Sequence, residues 1–230
     1  MASETPSRPR LVVGISGASG SLYGLRLLEL LRESAVESHL VISRAGEMTL
    51  RYETGMRRAE VEAMADFVYP AGHIGAAIAS GSFRTLGMVV APCSVRSLSE
   101  IATGTTGSLL TRAADVMLKE RRRLVLMLRE TPLHLGHIRS MAAVTEMGAI
   151  VYPPVPAFYA RPAGIDEMVT QTCARVLDLF DLPGLPARRW GEDAGPQEVR
   201  PRPAADTRRQ GPGTEPGAET QDGAFQDDGA

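Results

Sequence analysis

Short unbroken apolar runs alternate along this chain with segments in which apolar residues recur every three or four positions. Leu11 to Ile15, Leu40 to Ile42, Met88 to Ala91, Leu124 to Leu128 and Ala149 to Tyr152 are runs of the first kind. Their lack of polar alternation predicts strands covered on both faces. Leu22 to Glu33, Ala45 to Tyr52, Arg58 to Ala65, Leu109 to Lys119, Leu135 to Met147 and Asp166 to Phe180 carry the helical period. Strand then helix, repeated, predicts an α/β fold of three layers around a parallel sheet.

The pattern stops near residue 190. From Gly191 onward only Val199 and Phe225 are large and apolar, too little to offset the entropy of ordering forty residues. The expected organisation is a flexible N-terminus over residues 1–10, one α/β domain over 11–190 and a disordered, Gly- and Pro-rich acidic tail over 191–230. The tail holds nine acidic and four basic residues, so the whole-chain charge of −2 becomes +3 for the first 190 residues. Mild positive charge without a basic stripe suits a small anionic ligand and not nucleic acid. Two isolated cysteines and no long apolar stretch predict a reduced, cytoplasmic protein that neither enters a membrane nor is exported.

Parallel sheets bind ligands beyond the carboxyl ends of their strands. Four of the runs are followed there by polar or glycine-rich tips: Gly14-Ile-Ser-Gly-Ala-Ser-Gly20, Ser43-Arg44, Pro92-Cys-Ser-Val-Arg-Ser97 and Arg129-Glu-Thr-Pro132. Gly14, Gly17, Gly20 and Gly24 fit a strand-to-helix turn whose amides face an anion, with Ser16, Ser19 and Ser21 as further donors. The spacing is neither the dinucleotide G-x-G-x-x-G nor a P-loop. The competing reading is a tight turn in which the glycines serve helix packing.

Other chemistry-bearing residues have plainer readings beside the functional ones. Cys93 ends a buried run with no histidine close behind it, which favours a small apolar plug over a nucleophile. Ser94 and Ser97 straddle a helix start, as caps or as ligands of a phosphate or heterocycle. His134 and His137 hint at a metal but lack the further ligands a zinc site needs. Lys119-Glu-Arg-Arg-Arg123 reads as a basic helix end complementing the helix dipole, which suffices for Arg121 to Arg123. Arg129 and Glu130 follow a strand directly and project toward the ligand edge. Tyr159 and Arg161 belong to a proline-stiffened loop that forms either a pocket wall or an interface.

Val13-Gly-Ile-Ser-Gly-Ala-Ser-Gly20, Tyr52-Glu-Thr, Ala79-Ser-Gly-Ser-Phe, Ala91-Pro-Cys-Ser, Leu110-Thr-Arg-Ala-Ala-Asp-Val, Lys119-Glu-Arg-Arg, Arg129-Glu-Thr-Pro-Leu and Pro156-Ala-Phe-Tyr stand in this order. Together, over Leu11 to Trp190, they resemble the UbiX-like flavin prenyltransferases. The resemblance implies a Rossmann-like (flavodoxin-like) fold that holds reduced FMN and joins to its N5 and C6 the dimethylallyl group of dimethylallyl phosphate. Prenylated FMN is made for UbiD-like decarboxylases and phosphate is released, with no metal. The family forms homo-oligomers, commonly dodecamers.

Carried over residue by residue, the resemblance places FMN on Gly17, Ala18 and Ser19, on Ser43, on Ser94, Val95, Arg96 and Ser97, and on Arg129. It places dimethylallyl phosphate on Lys119, Tyr159 and Arg175, with Ser80 and Arg112 in the same group. Fixed cations and a phenol stabilise the charge that grows on a leaving phosphate. Glu53 and Glu130 match the family's site glutamates and are expected to carry protons, held partly protonated by nearby negative charge. Without the resemblance Glu53 is a surface salt-bridge carboxylate and Glu130 a cap-region one.

One departure concerns the aromatic wall that some members place before Ser80. Here that stretch is His73-Ile-Gly-Ala-Ala-Ile, and Phe83 is the candidate substitute. Two rival readings stay open. Flavin-dependent cysteine decarboxylases are similar in fold and use a site histidine, which His73 would supply, but their loop residues Asn and Met are missing from Pro92 to Ser97. A non-catalytic FMN carrier needs neither the glutamates nor the phosphate group.

Overall fold

A computed structural model of the chain describes residues 8–195. Six strands form one parallel sheet in the order β3-β2-β1-β4-β5-β6. They are β1 (Arg10–Ile15), β2 (Glu37–Ile42), β3 (Phe67–Tyr69), β4 (Gly87–Cys93), β5 (Arg123–Leu128) and β6 (Ile150–Val151). The helices are α1 (Ser21–Arg32), α2 (Arg44–Thr54), α3 (Arg58–Glu62), α4 (Val95–Ala102), α5 (Leu109–Lys119), α6 (Leu135–Glu146) and α7 (Ile165–Asp178).

The runs without polar alternation are explained by two cores, one on each face of the sheet. Val13, Ile15, Leu40, Ile42, Val89, Ala91, Val125 and Met127 point to one side, where α1, α7 and Leu50 of α2 cover them. Their neighbours Val12, Val41, Met88, Val90, Leu124, Leu126 and Leu128 point to the other, under α4, α5 and Val144 of α6. The period of two is present, but both phases are apolar because both faces are buried.

Five strands fall on the predicted runs, and the sixth, β3, was not foreseen. It is three residues long, lies at the sheet edge, and its Phe67 is exposed. What holds it is His39 of β2, which stacks on Phe67 and meets the Tyr69 hydroxyl through Nδ1 at 2.9 Å. Burial of the imidazole pushes its pKa down despite Glu37 at 2.8 Å from Nε2. At the chain's start Arg8 donates to Val36 O at 2.8 Å and pairs with Asp66, and Arg10 already belongs to β1. Within the expected tail, Gly191 to Gly195 form a turn in which Gly191 N donates to Ala194 O at 2.8 Å. The rest of that tail lies outside the described residues.

Candidate active site

The strand order reverses between β1 and β4, so the loops leaving their carboxyl ends diverge and open a crevice there. Ser16 ties the two tips together. Its hydroxyl donates to Pro92 O at 2.8 Å and accepts from Ser94 N at 2.7 Å, and its side chain is buried. Of the serines expected to face an anion, Ser16 is therefore committed to the scaffold, because both sides of its hydroxyl are already used. The Gly17 reading is settled by contact: a Cβ there would overlap Ala45 at the start of α2. Gly20 caps α1 with φ 104°, a left-handed conformation that favours glycine.

Glu53, near the end of α2, reaches back to this loop. Its carboxylate accepts from Gly20 N at 3.0 Å and from Ser21 N at 2.8 Å. Partial burial pushes the carboxyl up, but the Ser21 amide, the Ser19 hydroxyl and the Gly20 amide outweigh it and hold the pKa below the ordinary glutamate value. In the free chain Glu53 is a backbone-held carboxylate and not a surface salt bridge, its charge stabilised by the positive end of α1. From the other side Arg129 donates through Nε to Ser19 O at 3.1 Å.

A cleft of about 700 Å³ lies between these loops, lined by Gly17, Ala18, Ser19, Ser94, Val95, Arg96, Arg129 and Glu130, with Pro153 to Val155 as its far wall. A second hollow of about 310 Å³ continues it past Ser43, Ser94 and Ser97. Ser43 and Ser94 cap α2 and α4, accepting from Gly46 N at 3.0 Å and Ser97 N at 3.2 Å. All nine expected cofactor residues thus border one or other of two adjoining hollows, which share Gly17, Ala45, Ser94 and Arg96. A rim of helix-start amides, hydroxyls and two guanidiniums fits a phosphate-bearing group. Glu130 is exposed in the same cleft, where its carboxylate accepts from Thr131 N at 3.0 Å. Cys93 is fully buried and its thiol is pushed up to about 12 by burial, which supports the plug reading.

Within one chain the expected phosphate group is split three ways. Tyr159 and Arg175 lie together on the α7 side, close enough that both act on the half-buried Tyr152 phenol, whose pKa is raised by its partial burial. Arg175 pairs with Asp178, which also takes Arg189 at 2.8 Å. Arg112, in the first turns of α5, pairs with Asp115 at 2.6 Å. Lys119 ends α5 and so sits at the amino edge of the sheet, with Ser80 nearby and both away from the cleft. Phe83 does not line the cleft of its own chain: it packs edge-on against His39 at 5.2 Å and under Arg10 at 4.7 Å.

Several contributors escaped the sequence reading. Gln171 of α7 holds the backbone of Arg188 through both amide ends, at 2.8 and 2.9 Å. It thereby straps the C-terminal segment across α7 and sets Trp190 edge-on to Tyr159 at 5.6 Å. A lone glutamine within a helical period carries no signal of this. His134 caps α6 by accepting from Gly136 N at 3.0 Å, and its ring lies tilted by 33° against that of His137, centroids 3.6 Å apart. Among the described residues no group of three or more His, Cys, Asp or Glu side chains is placed to hold a metal, and no helix is long and apolar enough to cross a membrane.

Known proteins share this arrangement. The flavoprotein family model matches residues 2–177. Flavin prenyltransferase UbiX of Neisseria meningitidis is 56% identical over 181 residues, which is 79% of this chain and 96% of that protein. The crystal structure of AnUbiX (PadA1) in complex with FMN and dimethylallyl pyrophosphate superposes with a TM-score of 0.78 at 47% identity, covering 80% of this chain and 98% of that one. The dodecameric FMN-dependent UbiX-like decarboxylase from Escherichia coli O157:H7 gives 0.76 at 47% identity, over 79% and 98%.

Proposed function

The chain belongs to the flavoprotein family and, within it, to the UbiX-like flavin prenyltransferases, and from that premise we propose how its own residues divide the work. FMN lies in the crevice between β1 and β4, on Gly17, Ala18, Ser19, Ser43, Ser94, Val95, Arg96, Ser97 and Arg129. The observation that supports this reading is the convergence of those nine residues, drawn from four strand tips, on two adjoining hollows, the larger of which Glu130 also lines. Reduced FMN supplies the nucleophilic N5 and the ring carbon C6 that receive the five-carbon group of dimethylallyl phosphate.

Arg129 and the first-turn amides of α4 orient the ring and its phosphate end. Tyr159, Arg175 and Lys119, with Ser80 and Arg112, take the leaving phosphate, and each charge-assisted hydrogen bond contributes about 1.5–3 kcal/mol. Glu130, exposed in the cleft, moves the proton of the second bond-forming step. Glu53, ionised, accepts protons and keeps the Gly17 to Gly20 turn in shape.

Lys119 and Ser80 reach a cleft only if a neighbouring copy presents them. A homo-oligomer would provide this, and a relative at 47% identity is dodecameric. Its support in this chain is α6, of which Val144 alone is buried while Leu133, Leu135 and Ile138 on and before it stand 43–57% exposed. The product passes to a UbiD-like decarboxylase, in the cytoplasm, where Cys93 and Cys173 remain unpaired.

The test is anaerobic incubation with chemically reduced FMN and dimethylallyl phosphate, followed by mass spectrometry of the extracted flavin. Wild type gains one C5H8 unit and Glu130→Gln does not, or stalls. Tightly bound but unmodified FMN in the wild type would overturn the reading in favour of a decarboxylase or a carrier.

A further inference from the structure

Within the basic run after Lys119, Arg121 and Arg123 are exposed as a solvated helix end would be, but Arg122 is not. Arg121 turns left-handed at φ 56°, and Arg122 N closes the helix on Met117 O at 2.8 Å. This reversal aims Arg122 back across the sheet edge. Its guanidinium donates through Nη1 to Phe83 O and through Nη2 to Gly81 O, each at 2.6 Å. The Phe83 ring is itself locked between His39 and Arg10. The 80–83 turn is therefore fixed from two sides.

That turn bears directly on Lys119. A Cβ on Gly81 would stand 2.7 Å from Lys119 Nζ and 2.6 Å from the Glu120 carboxyl carbon, so the ammonium lies along the bare glycine. Glu120 pairs with the same ammonium. Ser80, whose hydroxyl meets Ser82 Oγ at 2.9 Å, is the residue just before. A hydroxyl and a cation thus share one corner at the amino edge, and the fork of Arg122 holds the backbone between them.

We propose that Arg122 is a positioning residue for prenyl-phosphate binding: by gripping Gly81 O and Phe83 O it presents Ser80 and Lys119 as one preformed corner to the cleft of a neighbouring copy. This rests on the assignment of Ser80 and Lys119 to the phosphate. A lysine at 122 reaches one carbonyl but lacks the planar fork that reaches both. An alanine at 81 keeps the fork and pushes Lys119 and Glu120 aside.

The experiment compares Arg122→Lys, Gly81→Ala and Lys119→Ala with wild type in KM for dimethylallyl phosphate, kcat, reduced-FMN affinity and Tm. Arg122→Lys and Gly81→Ala are each expected to raise KM about tenfold with FMN affinity unchanged. If Lys119→Ala raises KM and neither of the other two does, the positioning role is overturned while the phosphate assignment stands. If Lys119→Ala also leaves KM unmoved, that assignment fails and the inference fails with it. A fall in Tm and FMN affinity together, with KM constant, would mark plain structural support and equally overturn it.

Discussion

The carboxyl-edge cleft and the amino-edge corner are built on one sheet by opposite means. In the cleft the chain offers mostly backbone: a glycine turn, the first turns of α1 and α4, and serines that cap helices or tie strand tips together. In the corner it offers side chains, with Arg122 gripping two carbonyls and Lys119 laid along Gly81. A backbone cradle suits a large ligand that is held in place, because amides fixed by a sheet cannot swing away. A cation on a long flexible stem suits a phosphate that must be bound and then released, provided something fixes the stem.

The largest effect expected from breaking this contrast comes at the cradle. Gly17→Val drives a branched side chain into Ala45, so the loop must leave α2 and the cleft loses its floor. The variant should purify free of FMN, with affinity down about a hundredfold or more by titration of the flavin spectrum. Wild-type affinity in Gly17→Val would mean that the loop does not form the cradle.

Next in size is the separation of the two regions between copies. Lys119→Ala should cut turnover about a hundredfold while leaving FMN affinity intact. Glu130→Gln should lose turnover by itself. Mixed after dissociation and reassembly, the two inactive variants should regain part of the wild-type rate, because some clefts then pair an intact Glu130 with an intact Lys119. No recovery in mixed assemblies would show that one copy supplies both.

The cleft was more legible in the sequence than the corner, and the contrast explains why. Gly17, Ser43, Ser94 and Arg129 each follow a recognisable apolar run, and a parallel topology gathers such residues without further information. Arg122 sits among three basic neighbours, and its partners are carbonyl oxygens about forty positions earlier, which every residue possesses. The edge strand β3 was missed for the same reason: its three residues are held by His39, a contact no local pattern encodes. The anchoring of Glu53 to the amides of Gly20 and Ser21, more than thirty residues away, was hidden for the same reason.

A smaller change should come from the C-terminal strap. Gln171→Leu leaves the backbone N–H and C=O of Arg188 without their partners, a loss of about 2–3 kcal/mol if the segment stays in place. Local release costs less than global unfolding, so the strap should come away first. Trp190 fluorescence should then shift to the red and the chain should become cleavable near Arg188, with Tm little changed. An unchanged emission maximum would show that Arg189 and its ion pair with Asp178 hold the segment unaided.

The smallest effect isolates the charge of Glu53. Its pKa in the folded chain lies below the ordinary glutamate value, so its contribution to stability is fully present above about pH 4.3, the unfolded value, and is lost as the pH falls through the folded one. Glu53→Gln keeps the shape and an acceptor oxygen for Ser21 N but removes the negative charge from the start of α1. Because the side chain is exposed, the cost at neutral pH should be about 1 kcal/mol or less. That deficit should shrink toward zero as the medium is acidified, since wild type then loses the same charge. Urea titrations of both proteins at several pH values measure it directly. A constant difference across the acid range would assign the contribution to hydrogen-bond geometry, and a difference that grew with acid would reverse the sign argued here. Convergence would make the charge of Glu53 the feature that organises the cradle from α2.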